Sequence, residues 1–320
     1  ALSGDFAKDV ISFILIVGLT IVNIFGVNVS KFVNNLITIS KLVPLALFIA
    51  IGIFFINGAN FTPVFPQDIY VDGSFAQAAV LLFFAYTGFE VIAIAAEDMK
   101  NPKKNLPRAI IMCMLLVSIL YMAILAVSIG VLGTDLANTK APVQDAFNVI
   151  VGPIGMYIVL VGTLISMGGI NFAEAYYAPR VATSMAEDGM LPSALAKRNR
   201  YNAPYIAAIV TAIASVLLAW SGSFTTLAAI SAVSRFTQYL PTCLAVIIFR
   251  RKWADKARSY TIPGGYLIPV IAIGTSLWML AQAQTNQLLW GLGGCIVILP
   301  FYYSYWKKKK AGLIKDNDEM

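Results

Sequence analysis

Four ionisable side chains stand inside long apolar runs of this sequence: Lys41, Glu90, Glu174 and Arg235. In hydrocarbon a Lys, Arg or Asp at a helix centre costs at least ~2.5–3.5 kcal/mol, so such groups face a bundle interior or an aqueous cavity. Two cations and two anions can form structural ion pairs between helices, or they can line a shared polar pathway. Their chemistry differs. A buried lysine changes protonation state readily, so Lys41 can load and release a proton, whereas Arg235 keeps its charge. Lys41 sits in Thr38-Ile39-Ser40-Lys41-Leu42-Val43-Pro44. Pro44 has no N–H, so the carbonyl of Ser40 loses its helical partner beside an ammonium. About eight residues, roughly 12 Å of helix, separate Lys41 from the start of its run, a long reach for a lysine snorkelling to the interface.

The other three charges also accompany backbone irregularities. In Phe83-Phe84-Ala85-Tyr86-Thr87-Gly88-Phe89-Glu90, Gly88 weakens the helix. A break there exposes carbonyls from one half-helix and N–H groups from the other, the polar ends that a charged solute needs. The alternative use of such a glycine is a packing contact. Asn171, Glu174 and Tyr177 recur every third residue after Gly168-Gly169, and Pro179 frees the carbonyl of Ala175. The small pair permits close helix approach, and the polar stripe can line a cavity. Ser231, Arg235, Gln238 and Pro241 make a similar stripe. Tyr86, Tyr176 and Tyr239 are cavity walls or ordinary packing aromatics.

Absences narrow the chemistry further. With no histidine in the chain, histidine-ligated haem, His-based zinc and Ser-His or Cys-His nucleophiles are excluded within it. No GxxxxGK[ST] loop cradles nucleotide phosphates. Cys113, Cys243 and Cys295 all lie in apolar runs and read as small core residues. No cofactor and no metal site is expected.

The elements that must hold these residues follow from composition. The 320 residues are 59% hydrophobic and only 12% charged, with a mean hydropathy of +0.77. A soluble domain is nearer half apolar and a quarter charged, so disorder, a nucleic-acid module and an ordinary cytosolic enzyme are excluded. The expected class is an all-α polytopic membrane protein. A span needs about 20 mostly apolar residues at ~1.5 Å each. Nine runs qualify: 9–27, 33–56, 75–96, 106–132, 155–185, 204–220, 227–249, 267–284 and 288–306. If all nine cross, nearly every loop lysine and arginine falls on one side, including Lys103, Lys104, the 197–200 and 250–258 clusters and Lys307 to Lys310. Lys8 and Lys140 are left on the other. The positive-inside rule then makes the C-terminus cytoplasmic and puts residue 1 outside. The first run has no basic leader and no small-residue cleavage site, so it does not read as a signal peptide. An odd number of spans and a start at Ala1 lead to the expectation that N-terminal helices are missing from this chain.

Two stretches carry a family resemblance. Phe83 to Glu90, followed by Ala95-Ala96-Glu97-Asp98-Met99-Lys100-Asn101-Pro102-Lys103-Lys104-Asn105-Leu106-Pro107-Arg108-Ala109-Ile110, resembles the sixth helix and next loop of the amino acid–polyamine–organocation (APC) transporters. Met185-Ala186-Glu187-Asp188-Gly189-Met190-Leu191-Pro192, with Asn202-Ala203-Pro204, resembles the end of that family's eighth helix and its following loop. The resemblance covers essentially the whole chain, as the family's fourth to twelfth helices. It implies a LeuT-type fold of two inverted repeats within one transporter domain. Residues 1–57 would close the first repeat and 74–251 would form the second. Two extra helices would occupy 266–306, and 307–320 would be a cytoplasmic tail.

The resemblance also implies roles. Phe84, Ala85, Tyr86, Thr87 and Gly88 would be the unwound stretch that binds substrate, its carbonyls receiving an α-amino group and Phe84 acting as an aromatic gate. Glu90 matches an acidic position linked to pH response. Lys41 matches a lysine of proton-coupled relatives, where an ammonium replaces a sodium ion. Ile170 falls where some relatives carry an aromatic, so that contact does not transfer. Asn171, Glu174 and Arg235 rest on membrane cost and helical spacing alone, as possible cavity lining. The function expected is secondary active amino acid transport across the cytoplasmic membrane by alternating access, with protons coupled through Lys41 and Glu90. The alternatives are an amino acid/amine exchanger without obligatory proton coupling, and a non-transporting membrane subunit. A membrane enzyme is disfavoured by the lack of histidine and of any paired catalytic motif. The partners expected are an amino acid as small-molecule substrate, protons and the bilayer, with no nucleic acid; the last two spans offer a surface for oligomers.

Overall fold

Long apolar stretches have few ways to satisfy their backbone in lipid, and here the answer is helical. The computed structural model of the chain describes residues 4–25, 31–62, 74–90, 92, 99–222, 224–256, 258 and 260–310. Ten α-helices follow in order: α1 (Gly4–Ile24), α2 (Lys31–Gly52), α3 (Ser74–Ala85), α4 (Pro102–Leu132), α5 (Pro142–Val151), α6 (Pro153–Glu187), α7 (Tyr205–Ser221), α8 (Phe224–Lys252), α9 (Leu267–Gln282) and α10 (Thr285–Lys310). Residues 26–30, 91, 93–98 and 311–320, and the side chains of Lys31 and Cys295, lie outside the described residues. That removes from view the Ala95 to Asp98 part of the first resemblance motif and most of the expected tail.

Among the described residues, six segments are long and apolar enough to cross a membrane: Phe6–Ile24, Ile37–Phe55, Pro102–Asn138, Pro153–Glu187, Phe224–Lys252 and Thr285–Lys307. The expectation of about nine spans in a LeuT-type inverted-repeat fold is therefore corrected. Three of the apolar runs are shorter helices, Phe75–Ala85, Tyr205–Ser221 and Leu267–Gln282. The reason lies in where each helix stops. The 75–96 run was read through Gly88, but α3 ends at Ala85 and Gly88 has φ +104°. The 17 residues of α7 and the 16 of α9 give roughly 24–26 Å, short of a ~30 Å core. Gly264 and Gly265, at φ +77° and +61°, turn the chain just before α9, and Ala283 leaves it in extended conformation.

The long helices keep apolar side chains outward. On α4, Leu115, Leu116, Ile119 and Met122 are all more than half exposed. Such a surface would drive aggregation in water and is the natural exterior in lipid. The protein is a multi-pass membrane protein.

The chain divides into two compact units. The first comprises Ala1–Thr62, Ala123–Gly222 and Ile298–Met320. Its centre is a cluster of Phe48, Val127, Ala146, Phe147 and Val159, with the Phe48 and Phe147 rings edge to face at 5.7 Å. Close approach of α2 to α6 depends on glycine. A Cβ on Gly162 would lie 2.6 Å from Pro44 Cγ and 3.0 Å from the Ser40 carbonyl oxygen, and one on Gly169 would lie 2.4 Å from Ile37. Gly168 borders open space, so only the second glycine of that pair makes the contact. The second unit comprises Pro63–Met122 and Ser223–Val297. In it α3 packs on α8, where Val80 meets Ala229 and Ala232. The small side chains of α8 let the two backbones come near, as in membrane helix pairs generally.

Candidate functional site

The second unit contains a helix break with a charged cluster beside it. α3 stops at Ala85, Tyr86 to Gly88 form a turn, and Phe89 and Glu90 begin a short 3-10 turn. A Cβ on Gly88 would meet nothing within 4 Å, so glycine is needed here for its positive φ rather than for space. The last carbonyls of α3 are occupied by the chain itself. Phe83 O accepts from Tyr86 N–H at 3.0 Å. Phe84 O accepts from Thr87 N–H at 3.1 Å and from the Thr87 hydroxyl at 2.7 Å. Ala85 O accepts from the Tyr121 hydroxyl of α4 at 3.0 Å.

Glu90 curls back over this turn. Its Oε2 accepts the Gly88 N–H at 2.9 Å and the Tyr239 hydroxyl at 3.0 Å, while Oε1 forms an ion pair with Arg235. The carboxylate is mostly buried, at 15% exposure, and Arg235 is at 31%. A helix C-terminus carries about half a negative charge, so a carboxylate just past α3 would be repelled without a cation nearby. Arg235 supplies that cation and leaves the cluster neutral. It is held there by its helix: Ala232, Val233 and Phe236 of α8 are buried on the same face. Gly291 of α10 sits against Val233, and the Ser234 hydroxyl reaches the carbonyls of Ile230 and Gly291 at 2.9 and 3.0 Å. Aromatic rings line the break. Phe83 stacks on Phe236 at 4.8 Å, Phe89 stacks on Tyr239 at 5.8 Å, and Tyr86 meets Tyr121 edge to face at 5.3 Å. Phe84, half-buried, lies edge to face with Phe224.

Of the residues singled out from the sequence, the structure thus brings Phe84 to Gly88, Glu90 and Arg235 into one neighbourhood, with Tyr239. Lys41, Asn171 and Glu174 belong to the first unit, and all three are exposed. Among the described residues Lys41 and Glu174 make no ion pair, so of the four charges only Glu90 and Arg235 join. The Asn171 amide turns back to its own helix, donating to Met167 O at 2.9 Å. The Ser40 carbonyl freed by Pro44 faces Gly162 of α6.

One participant escaped the sequence. Tyr121 is a lone tyrosine in an apolar run, with no local signal that its hydroxyl would cap a helix 36 residues earlier. In the first unit, Arg180 lies within α6, its guanidinium 3.3 Å from the Tyr176 ring centroid and bonded to Tyr176 O. Among the described residues no group of three His, Cys, Asp or Glu side chains is disposed to hold a metal. What the arrangement offers is a set of helix-end carbonyls, aromatic walls and a neutralised carboxylate, suited to recognising a small polar solute rather than to bond-making.

The chain is similar to known membrane transport proteins. The amino acid permease family profile matches residues 3–305. The branched-chain amino acid permease BcaP of Bacillus subtilis is 29% identical over 316 residues, covering 96% of this chain and 66% of the relative. The methylthioribose transporter of the same organism is 29% identical over 288 residues, 88% of this chain and 61% of the relative. Its serine/threonine exchanger SteT is 29% identical over 316 residues, 96% and 72% respectively. The chain spans about two thirds of the length of the curated relatives it matches.

Proposed function

The chain belongs to the amino acid permease family, and from that premise we propose that it is a secondary active transporter of an amino acid, working by alternating access. The observation that carries this is the break after Ala85 with its ring of aromatic side chains. Broken helices present backbone dipoles to a zwitterion at membrane depth, where no water would otherwise solvate it. Each carbonyl keeps a second lone pair after accepting one internal bond, so Phe83 and Ala85 can still receive an ammonium. Phe84 lies beside them as the aromatic wall of the substrate site.

In this proposal protons are coupled through Lys41, with Glu90 responding to the same gradient. Lys41 is the one membrane-depth cation of the original four that has neither a carboxylate nor a hydrogen-bond partner among the described residues. Loss of its proton removes a charge that nothing nearby balances. Lys41→Ala is expected to abolish uptake driven by a proton gradient while leaving exchange between equal amino acid pools measurable. Uptake by that variant that still scales with the gradient would overturn the coupling.

Exchange without obligatory proton coupling is the second reading. It is favoured by the Arg235 pairing, which leaves Glu90 balanced and not obliged to titrate in each cycle. Vesicles preloaded with amino acid separate the two readings, because an obligate exchanger takes up label only against a counter-substrate. We place the C-terminus in the cytoplasm, supported by Lys307 to Lys310 at the end of α10 after Tyr302, Tyr303 and Trp306. The exposed faces of α9 and α10 are the surface we assign to any oligomer.

A further inference from the structure

The first unit has a second, unrelated feature: an apolar groove between α1 and α7. It has a volume of about 530 Å³ and is lined by Phe13, Val17, Ile24, Ile213, Leu217 and Trp220, among others, with no charged side chain in its lining. The two helices run antiparallel, so the groove has two distinct ends. At one, Phe13 stacks on Trp220 at 6.1 Å, and the Trp220 indole N–H donates to Asp9 O at 3.2 Å. Two aromatic rings flank that end. At the other, Asn199 ties the loop after α6 to the end of α1, donating to Ile24 O at 2.7 Å while its Oδ1 accepts from the N–H groups of Tyr201 and Ala203. Tyr201 packs its ring on Phe25 at 5.9 Å and carries the Arg200 guanidinium 4.8 Å above its own centroid.

Arg200 therefore lies beside the Ile24 end of the groove. It is exposed and, unlike Arg198, which pairs with Glu187 at 3.0 Å, has no carboxylate partner among the described residues. From Phe13 to Ile24 the groove runs eleven residues along α1, roughly 17 Å. Half of a ~30 Å hydrocarbon core is ~15 Å, the depth of one leaflet's acyl chain. An apolar channel of that length, with aromatic rings at one end and a guanidinium without a carboxylate partner beside the other, matches one acyl chain in length and an anionic headgroup in charge.

We propose that this groove is a binding site for an anionic phospholipid, with one acyl chain between α1 and α7 and the headgroup phosphate on Arg200. The guanidinium fork suits a phosphate, most of all one in a headgroup with no ammonium of its own: the amine of phosphatidylethanolamine competes for its own phosphate, whereas the phosphate of phosphatidylglycerol is left to Arg200. The site is separate from the helix break, and its test does not depend on transport.

The test is lipid retention by the full chain, purified in mild detergent with equimolar phosphatidylglycerol and phosphatidylethanolamine of identical chains, and read by native mass spectrometry. One phosphatidylglycerol per chain is expected to persist after detergent removal, in preference to phosphatidylethanolamine. Arg200→Gln, which leaves the groove intact, is expected to reduce that preference roughly fivefold, the worth of one basic residue at a membrane surface. Ala212→Trp, which fills the groove, is expected to lose the bound lipid of either kind. Should Ala212→Trp fail to fold, Arg200→Gln still decides the headgroup assignment. Equal retention of the two lipids by the unaltered chain would overturn the proposal, as would an Arg200→Gln variant with unchanged preference. A stoichiometric polypeptide mass in place of lipid would overturn it in favour of a protein helix.

Discussion

Removing Arg235 tests the cluster at the helix break most sharply. Arg235→Ala leaves Glu90, only 15% exposed, without its cation, next to the negative end of α3. Breaking a buried pair from one side costs about 3–5 kcal/mol. Arg235 itself is 31% exposed, so the pair is not fully enclosed by protein, and the low end, about 3 kcal/mol, is expected. Glu90→Gln is expected to cost less, about 1–2 kcal/mol. The amide oxygen still offers its lone pairs to Gly88 N–H, the Tyr239 hydroxyl or the Arg235 guanidinium. Arg235→Ala combined with Glu90→Gln removes both charges, so its loss should be no greater than that of Arg235→Ala alone, a coupling of about 1–2 kcal/mol. The assay is unfolding of the four proteins in one detergent, arranged as a double-mutant cycle. Losses that add to within about 0.5 kcal/mol in the double variant would refute the reasoning, because independent sites add in that way.

Further expectations follow from the same contacts. Gly88→Ala places a side chain at φ +104° in open space, so its cost should be purely conformational, about 1–2 kcal/mol by the same unfolding measurement. Gly162→Ala meets Pro44 and the Ser40 carbonyl at 2.6 and 3.0 Å and should cost about 1–3 kcal/mol, whereas Gly168→Ala, facing nothing, should be neutral within about 0.5 kcal/mol or slightly stabilising. Tyr121→Phe frees the Ala85 carbonyl, and about 1 kcal/mol of stability should be lost in the same unfolding measurement. Lys41→Ala should leave stability unchanged, since its side chain is exposed and unpartnered among the described residues, so any transport defect it shows is functional.

Much of the site was legible because the signals were local. A glycine inside an apolar run reports a weakened helix, and Gly88 is where the chain turns. Glu90 and Arg235 were visible as charges too costly to leave in lipid, and each turned out to be the other's partner. Their pairing was not legible, because no periodicity relates residues 145 positions apart on two helices. The same holds for Tyr121, whose role depends on a hydroxyl meeting a carbonyl across the fold. The span count failed for a different reason. Hydropathy continues through Gly88 and up to Ala283, but helices end at backbone dihedrals, which apolar composition does not report. Glu174 was read from cost and helical spacing and Lys41 from cost and resemblance, and cost states that a charge needs an outlet without naming it.

The central claim, that this permease family member moves an amino acid across the membrane, is tested most directly by uptake. Proteoliposomes containing the purified chain would be offered labelled amino acids, with and without an inward proton gradient, beside protein-free liposomes. The account predicts time-dependent accumulation of at least one amino acid, faster under the gradient and competed by the same unlabelled compound. Folded protein that accumulates none of them, with or without a gradient or preloaded counter-substrate, would contradict it.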